Sequence, residues 1–238
     1  MMRLLTTCFA TACLYAQIPD LSLKAPAPMV YTGAAADAAA LQATVDEFRN
    51  ALGPLNAPGA ANANPNGRRE INWDGVPDLD FAFDFFNRVS PRGMLLSGAE
   101  GFRAGTGEQF GFTRLKTFSG EKVLVAVGTN QYDCDFFVPG GTRRAPVSGF
   151  GAVFANVALP FSTWIEFFGT NGASLGRFYV RPNPGGLSFA GLIFEGKIIA
   201  KVRVSPGTAI LGESDDPAAG RNLVAMDDFI FGEPSSEN

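Results

Sequence analysis

The sequence predicts an all-β fold, a jelly-roll-type β-sandwich preceded by one amphipathic helix. Three observations predict it. From residue 68 onward, short apolar or alternating runs of strand length follow one another between Gly, Pro and Asn turn signals. The chain carries 22 Phe, 28 Gly and 16 Pro, and only 18% of its residues are charged, against ~25% in ordinary domains. One stretch alone, near the N-terminus, has helical periodicity, and no repeat of solenoid or propeller length is present.

In chain order, residues 1–16 (MMRLLTTCFATACLYA) read as a signal peptide. Arg3 is followed by an apolar run from Leu4 to Tyr15 that suits an export signal and is too short for a membrane span. Cleavage after Ala16 leaves Gln17 first. Ala10-Thr11-Ala12-Cys13 is the competing reading, a lipoprotein box with a lipid anchor at Cys13. Soluble export is the leading expectation, which places the protein in the secreted or cell-envelope (extracellular or periplasmic) space of a bacterium. No other apolar run reaches the ~20 residues of a transmembrane segment.

Residues 17–33 form a polar lead-in. A helix is predicted over 34–52, capped by Thr32, built on alanine and carrying Leu41, Val45, Phe48 and Leu52 as one stripe. Gly53-Pro54 stops it. Residues 53–67 read as a linker loop, 68–234 as the sandwich and 235–238 as a tail. The strand candidates are MLLSG, TRLKTF, KVLVAVG, DCDFFVPG, SGFGAVFANV, STWIEFFG, GRFYV, LSFAGLIF, IIAKVRV, TAILG and MDDFIFG. Two hairpins are predicted, at Asn171-Gly172 and at Glu195-Gly196-Lys197. Phe81, Phe83 and Phe85 alternate as on a core-facing strand, with Asp78, Asp80 and Asp84 on its wet side. Gly149-Phe150-Gly151 marks close packing or a bulge.

The chain contains no histidine, which excludes Ser-His-Asp and Cys-His catalysis and His-ligated zinc. A net charge of −4 argues against a nucleic-acid partner. Cys8 and Cys13 fall within the signal, so Cys134 is no part of a disulfide scaffold; between Asp133 and Asp135 it reads as a small buried hydrophobe. Arg143-Arg144 reads as a solvated turn. The glycine-bearing GTGEQFG and SGFGAVF lack the Lys-Ser/Thr of a phosphate loop.

GRREINWDGVPD (67–78), SPRGMLL (90–96), VSGFGAVFANVALP (147–160), STWIEFFGTNGASLGRFYV (162–180) and VAMDDFIFGEP (224–234) resemble a set of uncharacterised exported bacterial proteins. That resemblance spans residues 40–234 and implies no activity. Where such members commonly read FTDVDL, this chain has Phe154-Ala155-Asn156-Val157-Ala158-Leu159, without the two acids. A looser resemblance is to jelly-roll binding domains of the MAM type. It implies that the first and last strands are neighbours and that carboxylates from both hold calcium.

Glu70 and Asp74 at one end of the β body, and Asp227 and Asp228 at the other, are the candidate metal ligands, with calcium as the expected cofactor. An Arg–Asp pair through Arg68 or Arg69, and plain solvated acids, remain open beside it. In a regular strand Asp227 and Asp228 point to opposite faces. Trp164 and Glu166 share a face of WIEFF and are the candidate ligand-binding pair, because rings stack on sugar faces beside a hydrogen-bonding carboxylate. The expected function is non-catalytic binding of carbohydrate or another extracellular polymer. A glycan hydrolase using two of Glu100, Glu166 and Glu195, and a structural assembly subunit with no small ligand, are the alternatives.

Overall fold

The computed structural model describes residues 27–59, 63–112 and 115–235. The expected signal peptide, the Ala16/Gln17 cleavage point and Cys13 lie outside the described residues. Thirteen strands and two α-helices follow in the order β1 (Met29–Ala35), α1 (Ala38–Leu52), β2 (Arg68–Ile71), β3 (Asp80–Phe81), α2 (Phe85–Arg88), β4 (Met94–Ser97), β5 (Gly101–Gly105), β6 (Val123–Val127), β7 (Tyr132–Phe136), β8 (Gly149–Val157), β9 (Trp164–Gly169), β10 (Ser174–Tyr179), β11 (Asn183–Ile193), β12 (Ile199–Ser205) and β13 (Ala225–Gly232). Among the described residues no helix is long and apolar enough to cross a membrane.

The strands form two antiparallel sheets. The eight-stranded sheet runs β1-β11-β8-β13-β6-β5-β3, with β2 also on β13; the five-stranded sheet runs β10-β9-β12-β7-β4. Alternate residues of both sheets meet in one core. Phe150, Phe154, Phe229 and Phe231 come from the larger sheet, and Met94, Phe136, Phe167 and Val202 from the smaller. This is the period-2 burial of a sandwich.

Helix α1 covers the outer face of the larger sheet. Its stripe Leu41, Val45, Phe48 and Leu52 is buried, packed with Val153, Phe189 and Ile230. The Phe48 ring rests on the cross-strand pair Gly151 and Gly191. A Cβ at either position would come within 2.9 or 2.8 Å of that ring, so the glycines of 149–151 do mark close packing.

Several expectations are corrected. The lead-in is not wholly irregular: Met29–Ala35 is an edge strand paired from Met29↔Ile193 to Ala35↔Leu187. Thr32 therefore lies within a strand. The helix starts at Ala38, where the Asp37 carboxylate accepts from Ala40 N at 3.0 Å. Sheet pairing overrides the helix propensity of Ala34 and Ala35. The linker is tied down as well. Arg68 donates to Gly53 O at 2.5 Å, Arg69 donates to Gly59 O at 2.7 Å, and Asn56 donates to Glu233 at 2.8 Å.

Asn171-Gly172 does turn β9 into β10, with Gly172 at φ 78°. Glu195-Gly196-Lys197 is not a hairpin but a corner, since β11 lies in one sheet and β12 in the other. TAILG is no strand; Gly207↔Leu223 is an isolated bridge before it. The described part of TRLKTF, 115–118, is irregular. Phe81, Phe83 and Phe85 do not alternate on one strand, because the chain turns into α2. Phe83 is left 57% exposed and Phe86 is buried instead.

Candidate functional site

The acidic segments at the two ends of the β body meet. Antiparallel pairing sets Glu70 opposite Ile230. Along β13 the register against β8 slips between Met226 and Phe229 by one residue, a β-bulge at Asp227-Asp228. Met226 and Phe229 both face the core, and Ile230 faces the helix. The bulge thus puts both carboxyls on the helix side, correcting the expectation of opposite faces. Phe118 N donates to Asp227 Oδ2 at 2.5 Å, and the Ser119 hydroxyl donates to Asp228 Oδ1. The bulge also offers the Asp227 carbonyl to the Trp73 indole, which donates to it at 2.8 Å. Trp73 is buried at φ 69°, held edge-on to Phe229 at 4.9 Å and to Phe86 at 5.4 Å.

The residue between the two segments is Arg49 of α1. Its Nε and Nη2 donate to Glu70 at 3.1 and 2.9 Å, and Nη2 donates to Asp228 Oδ2 at 3.1 Å. Arg68 Nε adds a 2.6 Å bond to Glu70. Arg69 pairs instead with Glu233 in full burial. Asp74 works separately: Oδ1 accepts from Glu121 N at 2.9 Å and Lys122 N at 3.2 Å. Among the described residues no group of three or more acids is arranged around a common ion. Glu70 accepts from Arg49 and Arg68, Asp228 from Arg49 and Ser119, and Asp74 Oδ1 from two backbone amides, so these four residues do not converge on a common cation and do not fit a calcium site. The neutralising group is an arginine, but neither Arg68 alone nor Arg69: the helix supplies it.

Burial, then the Asp228 charge, push the Asp227 carboxyl well above the usual carboxylate range. Burial also raises Asp228, against the opposing pull of Ser119 and Arg49. Asp227 Oδ1 receives no hydrogen bond when ionised. Protonation would turn that oxygen into a donor and relieve the repulsion between two adjacent buried carboxylates, which is the direction in which both are pushed.

Trp164 and Glu166 lie on the opposite side of the molecule, on the outer face of the five-stranded sheet. Ile165 and Phe167 between them enter the core, as the alternation requires. Cross-strand register sets Arg177 and Arg203 beside Glu166, and Tyr179 and Ser205 beside Trp164. Glu166 accepts from Arg177 Nη2 at 2.8 Å and Ser174 Oγ at 2.9 Å. Partial burial raises its pKa, but the bonds from Arg177 and Ser174 outweigh it and hold the carboxyl below its ordinary value. That is the wrong direction for a general acid.

The Trp164 ring is already covered: the Arg177 guanidinium sits 3.8 Å from its centroid and the residue is only 9% exposed. Phe168 carries Lys201 at 4.7 Å. Farther along, Asp133 pairs with Lys201 and Arg203, and Asp135 with Arg144. Cys134 between them points into the core, and burial, then the charges of Asp135 and Asp133, push its thiol well up.

The open rings on this side are two that the sequence reading passed over. Tyr179 is 47% exposed and Phe161 75%, and they meet edge to face at 5.5 Å. Phe161 holds φ 59°, a left-handed backbone that a bulky residue rarely adopts. The Tyr179 signal was present, since it shares a strand face with Arg177 in GRFYV. Phe161, in a turn, has no periodic signature.

No protein-family model, curated protein or solved structure matches the chain.

Proposed function

We propose that this is an exported, non-catalytic binding protein whose five-stranded face takes carbohydrate or a similar extracellular polymer. The observation that carries the reading is the Phe161–Tyr179 pair. Two large rings stand in solvent next to a strip of fixed hydrogen-bonding groups: Arg177, Glu166, Arg203 and Asp133. A sugar ring has apolar C–H faces and polar edges, so it suits a ring surface bordered by paired charges. A solvent-exposed aromatic held on a strained backbone is uncommon unless something uses it. The leading ligand residues shift from Trp164 and Glu166 to Tyr179 and Phe161, with Trp164 and Glu166 as supports that fix Arg177. The hydrolase alternative is weakened by the Arg177–Glu166 pair.

The test is affinity electrophoresis and fluorescence titration against a panel of neutral and acidic polysaccharides. Retardation by at least one polymer, lost in Tyr179→Ala with the melting temperature unchanged, supports the reading. Equal behaviour of wild type and Tyr179→Ala on every polymer overturns it.

A further inference from the structure

We infer that the cleft beside the C-terminal end of α1 is a second binding site, one that receives a carboxylate or sulfate group on Arg92. The cleft encloses about 320 Å³ and is lined by Arg49, Glu70, Asn72, Arg92, Ser119 and Asp228, among others. Three arginines around it are engaged by carboxylates: Arg49 by Glu70 and Asp228, Arg68 by Glu70, and Arg69 by Glu233. Arg92 differs. Its guanidinium donates to the Ser90 hydroxyl and lies 5.7 Å from the Phe86 ring centre, and no carboxylate among the described residues pairs with it.

That arrangement is unfavourable as it stands. Arg92 is half-buried, and burial, then the neighbouring Arg69 charge, lower its pKa. A desolvated cation without a counter-ion is costly, and it is retained where a ligand supplies the missing charge. Glu70 and Asp228 share the cleft but do not serve Arg92, because their oxygens already accept from Arg49, Arg68 and Ser119. An oxyanion fits a guanidinium's fork, and carboxylate and sulfate both present the paired oxygens it needs.

Asn72 stands exposed on the same wall and makes no hydrogen bond to a described residue, so it offers both a donor and an acceptor to hydroxyls. The volume suits one sugar unit. The chemistry is therefore that of an acidic sugar residue, whose acid group alone is shared with free small anions. This site lies on the helix side, across the sandwich from the Tyr179 face, and its argument does not depend on that face.

Calorimetric titration of the full chain with glucuronate, glucose and inorganic sulfate tests it. Saturable binding of glucuronate, absent with glucose and weakened about tenfold or more in Arg92→Gln, is expected. Tyr179→Ala leaves this binding unchanged, which separates the cleft from the aromatic face. Sulfate binding as tightly as glucuronate supports the oxyanion site and assigns the contact to the acid group alone. Because a half-buried cation without a counter-ion is a liability to the fold, Arg92→Met keeps or raises the melting temperature. Failure of both anions to bind, undiminished binding in Arg92→Gln, or a lower melting temperature in Arg92→Met overturns the inference.

Discussion

Arg49 and Asp228 are 179 residues apart in sequence and 3.1 Å apart in the folded chain. The same guanidinium reaches Glu70, so one side chain ties helix α1 to β2 and β13. Arg49→Met leaves the buried Asp228 carboxylate without a cation and takes one of two arginines from Glu70, which keeps Arg68. Breaking a buried pair from one side costs ~3–5 kcal/mol, and the slight exposure of Arg49 puts the expectation at the lower end. Urea denaturation measures it. The double variant Arg49→Met/Asp228→Asn recovers part of the loss, because one stranded charge is gone.

Arginine in that position also sets the response to metal. EDTA leaves the melting temperature unchanged, and millimolar calcium does not raise it. A fall with EDTA that calcium reverses would show that a cation, rather than Arg49, holds the two ends together.

The buried aspartate pair makes stability depend on pH in a definite sense. The folded pKa of Asp227 is raised, so between the unfolded value of ~3.9 and the folded one the native state holds more protons than the unfolded chain. Its contribution is fully present below about pH 4 and is lost as pH rises through the folded value. Asp227→Asn keeps an acceptor for Phe118 N and a permanent donor for Asp228. It is expected to raise the melting temperature at pH 7 by ~2–4 °C and to flatten this part of the pH profile. Thermal melts from pH 4 to 8 decide the matter; a destabilised variant at pH 7 contradicts the raised Asp227 pKa.

Phe48→Ala removes a ring enclosed by Gly151, Gly191, Phe189 and Tyr31, at ~3–5 kcal/mol. Gly191→Ala drives a methyl into the same ring from below and lowers stability as well. The two losses do not add, because shortening residue 48 makes the room that the methyl needs. A double-mutant cycle in urea reads the coupling.

Phe161→Gly gives the left-handed backbone a residue that adopts it freely. It raises stability by about 1 kcal/mol while weakening polymer retention. Loss of stability in Phe161→Gly would mean that the ring is a packing element and not an exposed contact.

Much of this architecture was legible in the residues. Apolar spacing found the Leu41–Leu52 stripe, the alternation in WIEFFG separated Ile165 and Phe167 from Trp164 and Glu166, and Asn171-Gly172 marked its turn. The acidic ends were recognisable as a meeting point. What escaped has a common cause. Period-2 reading assumes an unbroken ladder, and one inserted residue in β13 moved Asp227 onto the face of Asp228. A second bulge, between Ile199 and Lys201, likewise separates two residues that regular alternation would put on one face: Ile199 lies in the core and Lys201 outside it. Arg49 was hidden for another reason: its partners are distant in sequence, and nothing local to the helix says which arginine will meet them. The corner at Glu195-Gly196-Lys197 has the composition of a hairpin, and only the packing of two sheets distinguishes them.

The position of β13 governs when the molecule is complete. The strand is the last of the thirteen described strands in chain order, yet it lies inside the larger sheet, between β8 on one edge and β2 and β6 on the other. A nascent chain that ends before residue 225 has two unsatisfied edges, an indole without its acceptor and an arginine facing only Glu70 and Asp46. The native sheet therefore cannot close until residues 225–232 are available, and before that its exposed edges are open to other chains. Deleting β13 removes an interior strand and is thus far more damaging than deleting β1, which lies at the edge of the same sheet.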